Sequence, residues 1–283
     1  MELVNARALV IGASSGIGRA LCETLVSREV RVTATARDAA RLGVLAELTG
    51  ASTVTLDVTS DNDVRAVVAA ADPEILVCNA GFGAEGVIEE VDEATLLHQY
   101  DVNVFGVWRA VRAALPAMRC RQAGAIVVVG SFGSRMPFPG IAAYRSSKAA
   151  VESLCWSLHL EASGFGVRVL HVQPGLTASD FDSNMTTGAA VDRQGPYREV
   201  YAQAAAAYPR MSPQALPAGV IAARVVDELA RPTGPLNLAV GGDAERMIGW
   251  AAEGEDAFFA HIAEDLGYTW HREPGGRHAG PQS

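Results

Sequence analysis

Seven short runs rich in β-branched and apolar residues recur along the chain, each separated from the next by a stretch with helical periodicity. The runs are "RALVIG" (7–12), "RVTATA" (31–36), "STVTLD" (52–57), "EILVCN" (74–79), "AIVVVGS" (125–131), "VRVLHVQ" (167–173) and "PLNLAVG" (235–241). Helical patterns fall at 16–28, 39–49, 61–71, 95–121, 144–163 and 213–230. Strands apolar on both alternating faces must be covered on both sides, which suits a parallel sheet sandwiched by helices. Right-handed crossovers then force a doubly wound α/β arrangement. The expectation is one Rossmann-type domain over 1–270, with a mostly parallel seven-stranded sheet and helices on both faces.

Three segments stand outside the alternation. Residues 176–212 form an insertion after a strand end, with a short helix expected near 196–207, and insertions of this kind serve as lids. The segment 243–270 is expected near the same pocket. The Gly- and Pro-rich tail at 271–283 is expected to be disordered.

Bulk properties exclude several classes of function. A net charge of −9 leaves no basic surface for nucleic acid. No run approaches the roughly 20 apolar residues of a membrane span. The N-terminus lacks the ordered regions of a signal peptide, so a cytoplasmic protein is expected. The four cysteines form no Cys-x-x-Cys pair and the six histidines show no ligand spacing, so neither a disulfide framework nor a metal is expected.

The first run leads into "GASSGIG", with Gly12, Gly16 and Gly18 at a strand-to-helix turn. Glycine lets the backbone approach a pyrophosphate, and the helix start offers free N–H groups to that anion. The spacing is Gly-x-x-x-Gly-x-Gly rather than the common Gly-x-Gly-x-x-Gly. With "LDV" (56–58), "CNAG" (78–81), "VNVFG" (102–106), Ser131, "YRSSK" (144–148) and "QPGLT" (173–177), it resembles the short-chain dehydrogenase/reductase family.

That resemblance implies a cofactor site residue by residue. Gly12, Ser14, Ser15, Gly16, Ile17 and Gly18 would hold the pyrophosphate. Asp57 and Val58 would border the adenine, Asn79, Ala80 and Gly81 would line the adenosine side, and Pro174, Gly175 and Thr177 would sit by the nicotinamide. The chain departs from the family pattern at Ile11, where a threonine is common, and at Cys78, where an asparagine is common. The second strand ends in Ala36 and Arg37 instead of the carboxylate that takes NAD ribose hydroxyls. A guanidinium suits a 2′-phosphate, so NADP(H) is favoured over NAD(H), with Asp38 as the opposing feature.

Lys148 is the single lysine, against 22 arginines. It lies four residues after Tyr144, on the same helix face. A nearby ammonium favours the phenolate and brings a tyrosine, whose ordinary pKa is about 10, toward use as an acid/base at neutral pH. The resemblance adds that the lysine reaches the nicotinamide ribose. It also makes Ser131 the binder of the substrate oxygen and Asn103 the holder of a relay water. Jointly these residues imply hydride transfer between a nicotinamide and a carbonyl or alcohol.

The substrate side is less constrained. Segment 133–143, the insertion and the region after 243 are expected to wall an apolar pocket with Phe138, Phe181, Met185, Tyr197, Tyr201, Tyr208, Trp250, Phe258 and Phe259. A medium-sized hydrophobic ketone or alcohol is the expected class. Two alternatives remain: a relative using transient oxidation for epimerisation, dehydration or a lyase step, and a non-catalytic dinucleotide sensor. Apolar residues on several faces of 95–121 and 144–163 suggest a homodimer or homotetramer.

Overall fold

The computed structural model describes residues 1–136, 138–179, 181, 185–211 and 215–268; the expected disordered tail at 271–283 lies outside them. Seven strands form the main sheet: β1 (Arg7–Ile11), β2 (Arg31–Ala36), β3 (Ser52–Thr55), β4 (Ile75–Cys78), β5 (Gly124–Val129), β6 (Val167–Pro174) and β7 (Asn237–Val240). Their order is β7-β6-β5-β4-β1-β2-β3, with every neighbouring pair parallel. The order reverses direction between β1 and β4, which leaves a crevice at the carboxyl ends of those strands.

The strands feed two cores by strict alternation. Ala8 and Val10 of β1, Val127 of β5 and Leu170 of β6 enter one cluster, together with Leu21 and Leu25 of α1 (Gly16–Ser27) and Val225 of the helix Ala218–Ala230. Leu9, Ile11, Ile126 and Val169 point the other way, onto Ala110, Ala114 and Met118 and onto Val151 and Cys155. Both faces are therefore dry, which is why the strand sequences read as continuous apolar runs.

Local signals set the helix starts. Asp38 accepts the Arg41 N–H at the head of α2 (Ala39–Thr49), and Ser60 accepts that of Asp63 at the head of α3 (Asp61–Ala71). The long helix expected over 95–121 is broken into α4 (Glu93–Tyr100), a π-helical turn (Asp101–Phe105) and α5 (Gly106–Arg121). The extra residue of a π turn shifts the helix face. Here Asn103 is buried in it, with its amide bonded to Phe82 and Ser147.

α6 (Ala142–Ala162) carries Tyr144 and Lys148. Within the insertion α7 (Arg198–Met211) is longer than expected, and α8 (Ala218–Ala230) begins after Pro217 rather than at 213. Two helices that periodicity left unassigned complete the chain, α9 (Gly242–Ala252) and α10 (Glu255–Leu266). They close a third core of Trp250, Phe258, Ile262 and Leu266 with Phe132, Met136 and Ala207. Short parallel pairs, Thr177–Ala178 with Leu216–Pro217 and Ala84–Glu85 with Thr186–Thr187, tie the insertion down.

Candidate active site

One cavity of about 610 Å³ opens at the carboxyl ends of β1, β2, β4, β5 and β6. At one end it is lined by Gly12, Ser14, Ser15, Gly16, Ile17, Arg37, Asp57, Val58, Asn79, Ala80 and Gly81. Ser131, Tyr144, Lys148, Pro174, Gly175 and Thr177 follow, and Phe138, Phe181, Met185, Tyr201 and Tyr208 lie beyond. Among the sequence-derived candidates, Gly18 and Asn103 are not part of the lining.

The glycine turn is shaped by close backbone approach. Gly12 has φ +90°, and a Cβ there would stand 2.5 Å from the Ala80 nitrogen. Gly18 lies beneath the turn, where a Cβ would meet the Gly12 carbonyl oxygen at 2.1 Å. Asn79 Nδ2 donates to that same carbonyl at 2.6 Å and joins the β1 and β4 loops. Ile11 and Cys78 face each other in register, both buried, so this chain has an apolar pair where the family pattern has polar residues. Ser15 caps α1 without a side-chain hydrogen bond, and the first-turn N–H groups offer a positive dipole end to an anion.

Asp57 accepts the backbone N–H and the hydroxyl of Thr59. These bonds, helped by the charge of Arg37, hold its carboxyl below the ordinary range. Arg37 is exposed at the cavity edge. Asp38 is committed to the cap of α2 and to Arg41, 3.5 Å away.

At the other end, Ser131 Oγ accepts the Gly133 N–H (3.0 Å), which leaves the hydroxyl proton to donate elsewhere. Lys148 Nζ donates to the Val129 carbonyl (3.0 Å) and lies 5.8 Å from the centre of the Tyr144 ring. Burial pulls the Lys148 ammonium down to about 8. Asn103 accepts the Phe82 N–H and donates to the Phe82 carbonyl and to Ser147 Oγ. Gly81 fits the gap in front of it: a Cβ there would lie 3.1 Å from Asn103 Oδ1 and 3.7 Å from Lys148 Nζ.

The family model described as short chain dehydrogenase matches residues 6–190. The chain belongs to the short-chain dehydrogenase/reductase family. An oxidoreductase of Botryotinia fuckeliana, BOA17, is 30% identical over 254 residues, covering 86% of this chain and 92% of that one. Human 17-beta-hydroxysteroid dehydrogenase type 1 is 37% identical over 181 residues, 59% of this chain and 55% of that protein. A crystal structure of a short-chain dehydrogenase from Streptomyces avermitilis is 32% identical with a TM-score of 0.80, covering 92% and 96% of the two chains. The protein is thus an NAD(P)-dependent oxidoreductase of the short-chain type acting on a small molecule.

In this short-chain dehydrogenase the pocket walls differ from the expectation in one respect. Trp250 and Phe258 are buried in the third core, Phe259 packs on it, and Tyr197 packs beside Val87 and Tyr201. No described residue beyond Tyr208 lines the cavity. The aromatic side chains of α9 and α10 pack against each other and against Phe132, Met136 and Phe138, so they support the wall from behind. Sequence reasoning also passed over Asp243, whose Oδ2 accepts the Leu176 N–H at 2.7 Å and braces the loop after β6. Its signal is the pair Gly241–Gly242 before a helix. The Glu85–Arg193 ion pair (2.7 Å) and Arg145, all lining the cavity, were likewise missed. Among the described residues no cluster of metal-ligating side chains occurs, and no helix is long and apolar enough to cross a membrane.

Proposed function

We propose that the protein moves a hydride between NADP(H) and a ketone or secondary alcohol with an apolar body, with Tyr144 as acid/base. The observation carrying this reading is that Tyr144, Lys148 and Ser131 share one cavity wall with the glycine turn. The residues fit the cofactor: Gly12 and Gly18 let the β1 and β4 loops and the head of α1 pack with no Cβ between them, and the start of α1, which has no side-chain cap, suits a pyrophosphate. Gly12 to Gly18 would hold the phosphates, Asp57, Val58, Asn79, Ala80 and Gly81 the adenosine, and Pro174, Gly175 and Thr177 the nicotinamide end. Arg37 favours a 2′-phosphate because its guanidinium is exposed at the β2 terminus while Asp38 is engaged by the α2 cap and Arg41.

The nicotinamide supplies or accepts the hydride when bound. Ser131 donates its hydroxyl proton to the carbonyl oxygen and stabilises the charge that develops there. Tyr144 delivers the proton that makes the alcohol, or removes it in the reverse direction. Lys148 beside it favours the phenolate. An ammonium that burial already holds near 8 is poised to exchange protons at working pH. Asn103 fixes the Phe82 backbone and Ser147, whose hydroxyl donates to the Tyr144 carbonyl.

The lining of Phe138, Phe181, Met185 and Tyr208 suits an apolar substrate body, in keeping with a relative named for hydroxysteroids. Leu97, Phe105, Trp108, Trp156 and Leu160 are exposed on α4, the π turn, α5 and α6, which supports a homodimer or homotetramer, and a cytoplasmic location belongs to the same reading. Replacing Tyr144 by Phe is the direct test. Turnover should fall by roughly 10²–10⁴ while NADPH binding, followed by fluorescence, stays intact. Full turnover with intact binding would overturn the mechanism.

A further inference from the structure

Arg145 follows Tyr144 on α6 and lines the cavity, yet it is only 9% exposed. Its side chain crosses Gly133 so closely that a Cβ there would lie 2.4 Å from Nη1. Nη1 donates to the Met136 carbonyl at 2.9 Å, and the rings of Phe132 and Phe138 lie 5.1 and 5.9 Å from Cζ. Nε is buried without an acceptor, and among the described residues Arg145 forms no ion pair. Burial pulls its pKa down to about 10, so it is a cation at neutral pH.

A buried charge without a counter-charge is costly, and two cation–π contacts recover only part of that cost. Among the described residues, the other charges around the cavity do not answer it. Arg193 is matched by Glu85, Asp57 and Arg37 stand at the glycine-turn end, and Lys148 is a second buried cation one helical turn away. Counted over the described residues, the wall around Tyr144 therefore carries positive charge in surplus. A planar guanidinium in a dry wall is suited to a carboxylate, which it can bind through two parallel hydrogen bonds.

We propose that Arg145 is a specificity-determining residue that pairs with a carboxylate of the substrate, so that the preferred substrates are oxo acids or hydroxy acids with an apolar body. This rests on the oxidoreductase reading of the same cavity and narrows its substrate. Were Arg145 only a brace for the 132–138 segment, its replacement would affect acids and neutral ketones alike.

The test uses aliphatic and aromatic oxo acids of increasing chain length, each beside its methyl ester, with NADPH as reductant. For the best pair, kcat/KM for the acid should exceed that for the ester by at least about tenfold, as a charge-assisted hydrogen bond implies. In Arg145→Met that ratio should collapse toward one. Should Arg145→Met fail to fold, Arg145→Lys, which keeps the charge but loses the fork, should lower the ratio several-fold. Equal rates for acid and ester in the wild type, or a ratio the substitutions do not move, would overturn the assignment. Calorimetric titration of the NADP-loaded protein with the same acids separates the two readings. Arg145-dependent binding of an acid without turnover leaves the carboxylate assignment and removes the reductase; turnover of esters alone does the reverse.

Discussion

The two ends of the cavity are built by different means. At the glycine-turn end the shape is set by backbone: the loops leaving β1 and β4 touch, and Gly12 and Gly18 are glycines because a Cβ would strike Ala80, Asn79 or the Gly12 carbonyl. At the far end the shape is set by side chains from the 132–141 segment, the insertion and α7, standing on a separate core of α9 and α10. A backbone-built site tolerates few residue types and leaves a spaced signature. A side-chain-built site can be assembled from many residue combinations and leaves none. The matched family region ends at residue 190, before α7, α9 and α10 begin.

Lys148 sits where the two ends meet, and its replacement should have the largest effect. Lys148→Arg keeps the charge but not the compact ammonium bonded to the Val129 carbonyl. Turnover should fall by at least about 100-fold while the far-UV spectrum is unchanged. Lys148→Met adds a thermodynamic readout. Because burial lowers the folded-state pKa from 10.5 to about 8, the unfolded chain holds more protons between those values, and this group makes stability rise with pH across that window. Denaturant midpoints at pH 7.5 and 9.5 should therefore rise for the wild type relative to the methionine variant. A flat difference would mean that Lys148 is not held in a desolvating site.

Legibility followed the same division. All seven strands could be read because a strand buried on both faces is apolar throughout, as "AIVVVGS" shows. Glycine spacing exposed the turn, and the Tyr144–Lys148 spacing exposed the chemistry expected of α6. The π turn could not be read, since one inserted residue in 95–121 leaves the apolar periodicity almost intact. α9 and α10 were missed because no strand follows them, so the α/β alternation gave no cue. Arg145 could not be singled out because what marks it is an absence, the lack of a counter-charge among the described residues, and a sequence does not show what a side chain fails to meet.

Arg37 is the place where the backbone-built end depends on one side chain. Arg37→Ser should weaken NADPH by roughly tenfold to a hundredfold, the worth of a charge-assisted contact to phosphate. NADH binding should stay nearly constant, because the glycine turn and Asp57 are untouched. Dissociation constants for both cofactors, taken at one salt concentration, decide the matter. A parallel loss of both would move Arg37 from 2′-phosphate recognition to general electrostatics at that end.

The smallest expected effect has the opposite sign and comes from a glycine at the far end. Gly249 lies inside α9 and is exposed, with nothing within 4 Å of the position its Cβ would take. Unlike Gly12, it has no close backbone approach to protect, and its φ is not positive. A glycine inside a helix costs about 0.5–1 kcal/mol relative to alanine, because the unfolded chain loses more freedom. Gly249→Ala should therefore raise the Tm by a few degrees and leave turnover unchanged. A fall in Tm instead would mean that this face of α9 is covered in solution, so that α9, like the glycine turn, is shaped by a close neighbour.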